Sequence, residues 1–90
     1  MELFAILSKR HMLLILYTLT SGAKGFSELE EGIEVNTATL AKRLRELENA
    51  LLIERIVCEK DKRNRYYSLT KKGKDVSALI EKLGDIARRK

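Results

Sequence analysis

Leu40, Leu44, Leu47 and Leu51 recur at spacings of four, three and four, and no other pattern in the chain limits its fold so tightly. Such spacing lays a single apolar stripe along one face of a helix. Asn36 stands just ahead of the stripe and is a strong N-cap, so a helix is predicted to begin there. Opposite the stripe lie Ala38, Lys42, Arg45 and Asn49, with Thr39 and Arg43 on the flanks. A helix with one apolar face needs a surface to bury it against, and the segments on either side must supply that surface.

Upstream, Leu3, Phe4, Ile6 and Leu7 form an apolar start that reads equally as a separate turn or as the front of the next helix. Ser8 is predicted to cap a helix whose inner face is Leu14, Ile15, Leu16 and Leu19. Gly22 is suited to the left-handed closing position behind it. A second, short helix opens near Phe26, where Ser27 and Glu30 have capping-box spacing. Gly32 is expected to end it, leaving residues 33–35 as a tight connection to Asn36. A short helix, a short turn and a longer amphipathic helix make a helix-turn-helix pattern.

From Ile53 the apolar period shifts towards two. Residues 52–59 and 65–69 are strand-like, and residues 60–64 are a hydrophilic turn, so a β-hairpin with a charged tip is predicted. Tyr66 and Tyr67 must point to opposite faces; Tyr67 and Leu69 are assigned to the core and Tyr66 to the surface. Thr70 caps a last helix with apolar positions Val76, Leu79, Ile80, Leu83, Ile86 and Ala87. Gly73 and Gly84 are expected to weaken it by about 1 kcal/mol each relative to Ala. The expected fold is mainly α with a small β-hairpin (α+β), a winged helix-turn-helix. It is one domain over residues 1–90, with the helix-turn-helix at about 26–50, the wing at about 53–69 and a dimerisation helix at about 70–88.

Four stretches sharpen this into a resemblance: residues 12–16 (MLLIL), residues 26–29 (FSEL), residues 39–48 (TLAKRLRELE) and residues 67–73 (YSLTKKG). In this order they resemble the HxlR-type regulators, and more broadly the MarR and PadR-like superfamily. The resemblance implies a winged-helix fold, DNA binding, transcriptional regulation and a homodimer. Two departures stand out. His11-Met12 occupies the place of the family's usual Trp, and Asn36-Thr37-Ala38 the place of a frequent Ser-Pro-Arg. The frequent N-terminal cysteine is also missing, so the match implies no thiol sensor.

The charge is distributed to suit that function. Residues 1–35 carry three Lys/Arg against five Asp/Glu, residues 36–65 eight against five, and residues 66–90 seven against three. An acidic front and a basic back suit a polyanion partner. Between Asn36 and Arg45 there is no acid, so the start of the third helix reads as an anion site. The expected recognition-helix contacts are Asn36, Thr37, Ala38, Thr39, Lys42, Arg43 and Arg45. Thr37 and Thr39 are short donors to phosphate, or meet a thymine methyl through their own methyls, while Lys42 and Arg45 enter the major groove and Arg43 rides along the backbone. The competing reading is a solvated face on which Glu46 and Glu48 balance the cations. In the wing, Lys60, Lys62, Arg63, Asn64 and Arg65 are expected along the phosphates or in a minor groove.

Leu3, Phe4, Leu7, Val76, Leu79, Ile80, Leu83 and Ile86 exceed what so small a domain covers, and a two-fold dimer would bury them. The expected partners are therefore palindromic double-stranded DNA and a second copy of the chain. The alternative is a winged helix used as a protein-interaction module without DNA binding. No nucleophile–base set and no glycine-rich phosphate loop points to an enzyme. His11 and Cys58 lack companions for a metal, and no cofactor is expected. Cys58 is the lone cysteine, read as a core-packed strand residue in a cytoplasmic protein. The longest apolar run, residues 12–17, is too short to span a bilayer, and no basic region precedes the first apolar stretch as in a signal peptide.

Overall fold

The computed structural model describes residues 3–58 and 61–89, with the side chains of Cys58 and of residues 61–64 outside that description. Five helices and three strands follow in order: α1 (Leu3–Leu7), α2 (Met12–Leu19), β1 (Lys24–Gly25), α3 (Phe26–Ile33), α4 (Thr37–Asn49), β2 (Ile53–Cys58), β3 (Asp61–Leu69) and α5 (Lys71–Ala87). The strands form one antiparallel sheet in the order β1-β3-β2. This is the winged-helix arrangement expected, with one strand added. Lys24 and Gly25 pair with Tyr67 and Tyr66, and a strand so short leaves no period to read.

The core gathers one face from every helix and from the β2–β3 hairpin. Ile6 of α1, Ile15 and Leu16 of α2, Leu29 of α3, Leu40, Leu44 and Leu47 of α4, and Leu52, Tyr67 and Leu69 around the sheet are all buried. Tyr67 and Leu69 thus face inward as expected, while Tyr66 is half-buried. Val76, read as surplus stripe, belongs to this core.

Several helix ends lie elsewhere than predicted. Ser8 does not cap α2; its hydroxyl donates to the carbonyl of Ala5. The chain breaks instead at His11, which has φ 73. That shift turns Met12 inward and leaves Leu14 exposed. At α3 the cap sits two residues earlier than predicted and is one-sided, with Glu28 Oε1 accepting from the Gly25 N–H at 3.1 Å and no Gly25 side chain to return the bond. Gly32 lies inside α3, and Glu34 takes the left-handed position with φ 54. The predicted cap Asn36 holds, its side chain accepting from the Thr39 N–H at 2.8 Å.

The end of α4 is the most consequential difference. The Leu51 N–H donates to Glu48 O and the Leu52 N–H to Leu47 O, both at 3.0 Å. These two bonds form a Schellman motif, whose left-handed residue is usually Gly. Here it is Leu51, with φ 62. The reversal throws Leu51 into solvent, 68% exposed, and drives Leu52 into the core. The start of α5 then clamps this corner. Thr70 donates its hydroxyl to Leu51 O at 2.5 Å and its N–H to Leu52 O at 3.1 Å. Lys72 Nζ donates to Ala50 O at 3.1 Å. Gly73 is buried against the Leu52 carbonyl, so its missing side chain is a packing requirement and not only a local weakness.

The hairpin also departs from expectation. Residues 61–64, read as turn, belong to β3. The single step from Val57 to Cys58 on β2 spans Arg65 to Asp61 on β3, a pronounced bulge near the tip. Such an irregularity increases local twist and bends the hairpin. Cys58 lies in β2, but its side chain is among those not described.

Candidate nucleic-acid interface

With Leu40, Leu44 and Leu47 committed to the core, helical geometry turns Ala38, Lys42, Arg45 and Asn49 to the opposite side, and all four are exposed. Among the described residues, no salt bridge holds Lys42 or Arg45. Two cations one turn apart on an exposed helix face suit a phosphate-lined groove.

Arg43 is placed differently from expectation. Its Nη1 donates to Glu46 Oε1 at 2.7 Å, and its side chain is only 18% exposed. Lys9 Nζ, from the α1–α2 junction, donates to the other oxygen of the same carboxylate. Glu46 thus joins the front of the chain to α4 through two cations. The competing reading, in which acids balance the cations, therefore holds for Arg43 but not for Lys42 or Arg45. Glu48 approaches Arg55 of β2 at 3.9 Å, a looser pairing across the α4–β2 corner.

The Lys9 hydrogen bond, supported by the Arg43 bond and both positive charges, holds the Glu46 carboxyl below its ordinary value of 4.5 against an opposing burial effect. A depressed carboxyl stabilises the fold above its unfolded value, and that contribution fades as pH falls through the folded value. Glu46→Gln is expected to melt at lower temperature than wild type at pH 7, with the gap closing as pH drops well below 4.5. Thermal melts across that range check this; a gap independent of pH would mean that Glu46 acts through packing alone.

The first turn of α4 is less open to anions than its sequence implies. It contains no acid, but Glu30 reaches across from α3 and accepts a hydrogen bond from the Thr37 hydroxyl. Asn36 spends its carbonyl oxygen on the Thr39 N–H. Thr39 is half-buried and Ala38 exposed. Sequence reasoning missed Glu30 because its partner is on the neighbouring helix, and only the crossing of α3 and α4 brings the two together.

Partway along the wing, Arg65 is exposed on β3. It lines a groove of about 590 Å³ with Ser27, Glu28, Thr37, Ala41 and Tyr66. Thr37 and Ala41 of α4 and Arg65 and Tyr66 of β3 therefore border one concavity. Lys60 lies outside the described residues, as do the side chains of Lys62, Arg63 and Asn64. The structure thus leaves Ala38, Lys42 and Arg45 on one exposed face of α4, places Thr37 and Arg65 on one groove, commits Asn36 to a cap, and assigns Arg43 to an internal ion pair.

The comparisons with known proteins agree with this architecture. The model of the HxlR-like helix-turn-helix family matches residues 6–90. An HTH-type transcriptional regulator of Methanocaldococcus jannaschii is 37% identical over 86 residues, covering 90% of this chain and 74% of that protein. The HTH-type transcriptional regulator YodB of Bacillus subtilis is 36% identical over 81 residues, covering 89% of this chain and 72% of YodB. The reduced form of YodB superposes with a TM-score of 0.81 at 35% identity, over 93% of this chain and 83% of that structure. The adhesin competence repressor of Streptococcus pyogenes, at 18% identity and a TM-score of 0.82 over 88% of this chain and 59% of its own, shares the fold. No helix among the described residues is long and apolar enough to cross a membrane. This winged helix, matched over nearly its whole length, belongs to the HxlR-like helix-turn-helix family of DNA-binding transcriptional regulators.

Proposed function

We propose that the chain acts as a homodimer on palindromic double-stranded DNA, with α4 in the major groove and the hairpin on the backbone or in a minor groove. The observation that carries this reading is the exposed pair Lys42 and Arg45, unclaimed by any salt bridge among the described residues. Family membership supports the DNA partner. Thr37, Ala38, Thr39 and Arg65 complete the contact set, with Lys60, Lys62, Arg63 and Asn64 assigned to the wing tip. Asn36 contributes through its cap, and Arg43 by supporting the helix through Glu46.

Support for the dimer comes from apolar surface that one chain leaves uncovered. Phe4 is 78% exposed, Leu79 62%, Leu83 63% and Ile86 56%. Leu13 and Tyr17 of α2 are also exposed, and they line a shallow groove with Ile80 and Leu83 of α5. Contiguous apolar surface of this kind marks an interaction site. Leu3, Leu7 and Ile80 are partly buried on the chain's own core, and Ile80 also lines that groove.

Selection of preferred duplexes from a random pool, with the molecular mass in solution measured by light scattering, tests the reading. A two-fold symmetric consensus with half-sites about 10 base pairs apart, and twice the chain mass, are expected. A protein that selects no duplex even at low salt would instead be an interaction module.

A further inference from the structure

From the Thr37–Glu30 contact we infer that Glu30 is a positioning residue for base recognition: it fixes the Thr37 hydroxyl as a hydrogen-bond acceptor towards DNA. This rests on the proposed placement of α4 in the major groove. Thr37 is the first residue of α4 and is exposed. Its hydroxyl has one proton to donate and two lone pairs to offer. The proton goes to Glu30 Oε2. A carboxylate can only accept, so it holds the hydroxyl in that orientation. What remains towards a ligand is acceptor character alone.

That asymmetry decides which groups Thr37 can meet. Phosphate oxygens, guanine O6 and N7, and thymine O4 are all acceptors, and an oriented Thr37 has nothing to donate to them. The major-groove donors are adenine N6 and cytosine N4. Phosphate is disfavoured a second time, because the Glu30 charge sits behind the hydroxyl. Thr37 is thereby removed from backbone anchoring and assigned to an exocyclic amino group. A lone Thr at a helix start would serve either purpose; the neighbouring acid selects between them.

The test compares wild type, Glu30→Gln and Thr37→Val. Random-pool selection is followed by anisotropy titrations on the selected duplex, and thermal melts verify that each variant is folded. Thr37→Val is expected to flatten the base preference at one half-site position by about fivefold to tenfold, the worth of one hydrogen bond. Glu30→Gln is expected to flatten the same position, because a side-chain amide offers donors as well as an acceptor and frees the hydroxyl to turn. Removing the amino group there, with purine in place of adenine for example, should weaken wild type by a similar factor and leave Glu30→Gln nearly unaffected. Unchanged preference in Glu30→Gln, or a uniform rise in affinity for all duplexes, overturns the inference, since Glu30 would then act only as a charge. If wild type binds no duplex, the DNA reading itself falls.

Discussion

Gly73→Ala is expected to lower the melting temperature by roughly 10–20 °C, the result of about 2–3 kcal/mol of overpacking in a domain of this size. A Cβ built on Gly73 would stand 1.9 Å from the carbonyl oxygen of Leu52 and 3.3 Å from a Leu69 methyl. The obstructing atom is backbone, and that carbonyl already accepts from the Thr70 N–H at 3.1 Å. Relief therefore requires the start of α5 to lift away from the α4–β2 corner, which would also stretch the Thr70 and Lys72 bonds to Leu51 and Ala50. Gly84 is the internal control. Nothing lies within 4 Å of a Cβ placed there, so Gly84→Ala should recover about 1 kcal/mol of helix propensity. Circular-dichroism melts of the two variants should move in opposite directions. Equal gains from both would show that α5 does not pack on Leu52 as described.

The second large effect concerns binding. Replacing both Lys42 and Arg45 by Ala is expected to weaken duplex affinity by about a hundredfold or more, with the fold intact because both side chains lie in solvent. Each contact to phosphate should lower the dependence of log affinity on log salt by about one. A contact to a base edge would instead relax preference at one position with little change in that slope. Titrating the two single variants over salt thus assigns each residue to backbone or base. Arg43→Ala is the informative contrast. Its guanidinium is bound to Glu46, so its loss should reach DNA affinity only through the stability of α4. If the double variant binds as wild type does, α4 is not the recognition element.

These experiments bear mainly on residues whose placement was only partly legible beforehand. Helix α4 was readable because its cap, its stripe and its charged face are local: Asn36, Leu40 and Lys42 lie within two turns of one another. Thr70 as a cap, and Tyr67 and Leu69 as core residues, were readable for the same reason. Strand β1 was not, since Lys24 and Gly25 become a strand only through β3. Leu51 fitted the helical stripe by spacing, but the Schellman reversal falls on Leu51 itself, where helical spacing no longer applies. The acid beside α4's first turn and the Lys9 half of the cation pair on Glu46 were hidden for a third reason. Glu30 lies on a different helix from Thr37 and Lys9 stands far ahead of Glu46 in the chain, so only tertiary packing brings those partners together. The Arg43–Glu46 half of the pair is local to α4 and was anticipated as acids balancing cations.

The clamp at the α4–α5 corner has a mechanical consequence. In a dimer paired through α5, the path from the two-fold axis to each reading helix runs along α5, through Thr70, Lys72 and Gly73, and directly into residues 50–52. That path crosses no flexible linker. Such a dimer works as a fixed pair of calipers, and its two reading heads cannot slide to suit a badly spaced site. Operators with one base pair inserted between half-sites should be rejected rather than accommodated, because each added pair also rotates the second half-site about the DNA axis. A signal that alters regulation must then change how the two α5 helices cross, since the arms themselves have little room to bend.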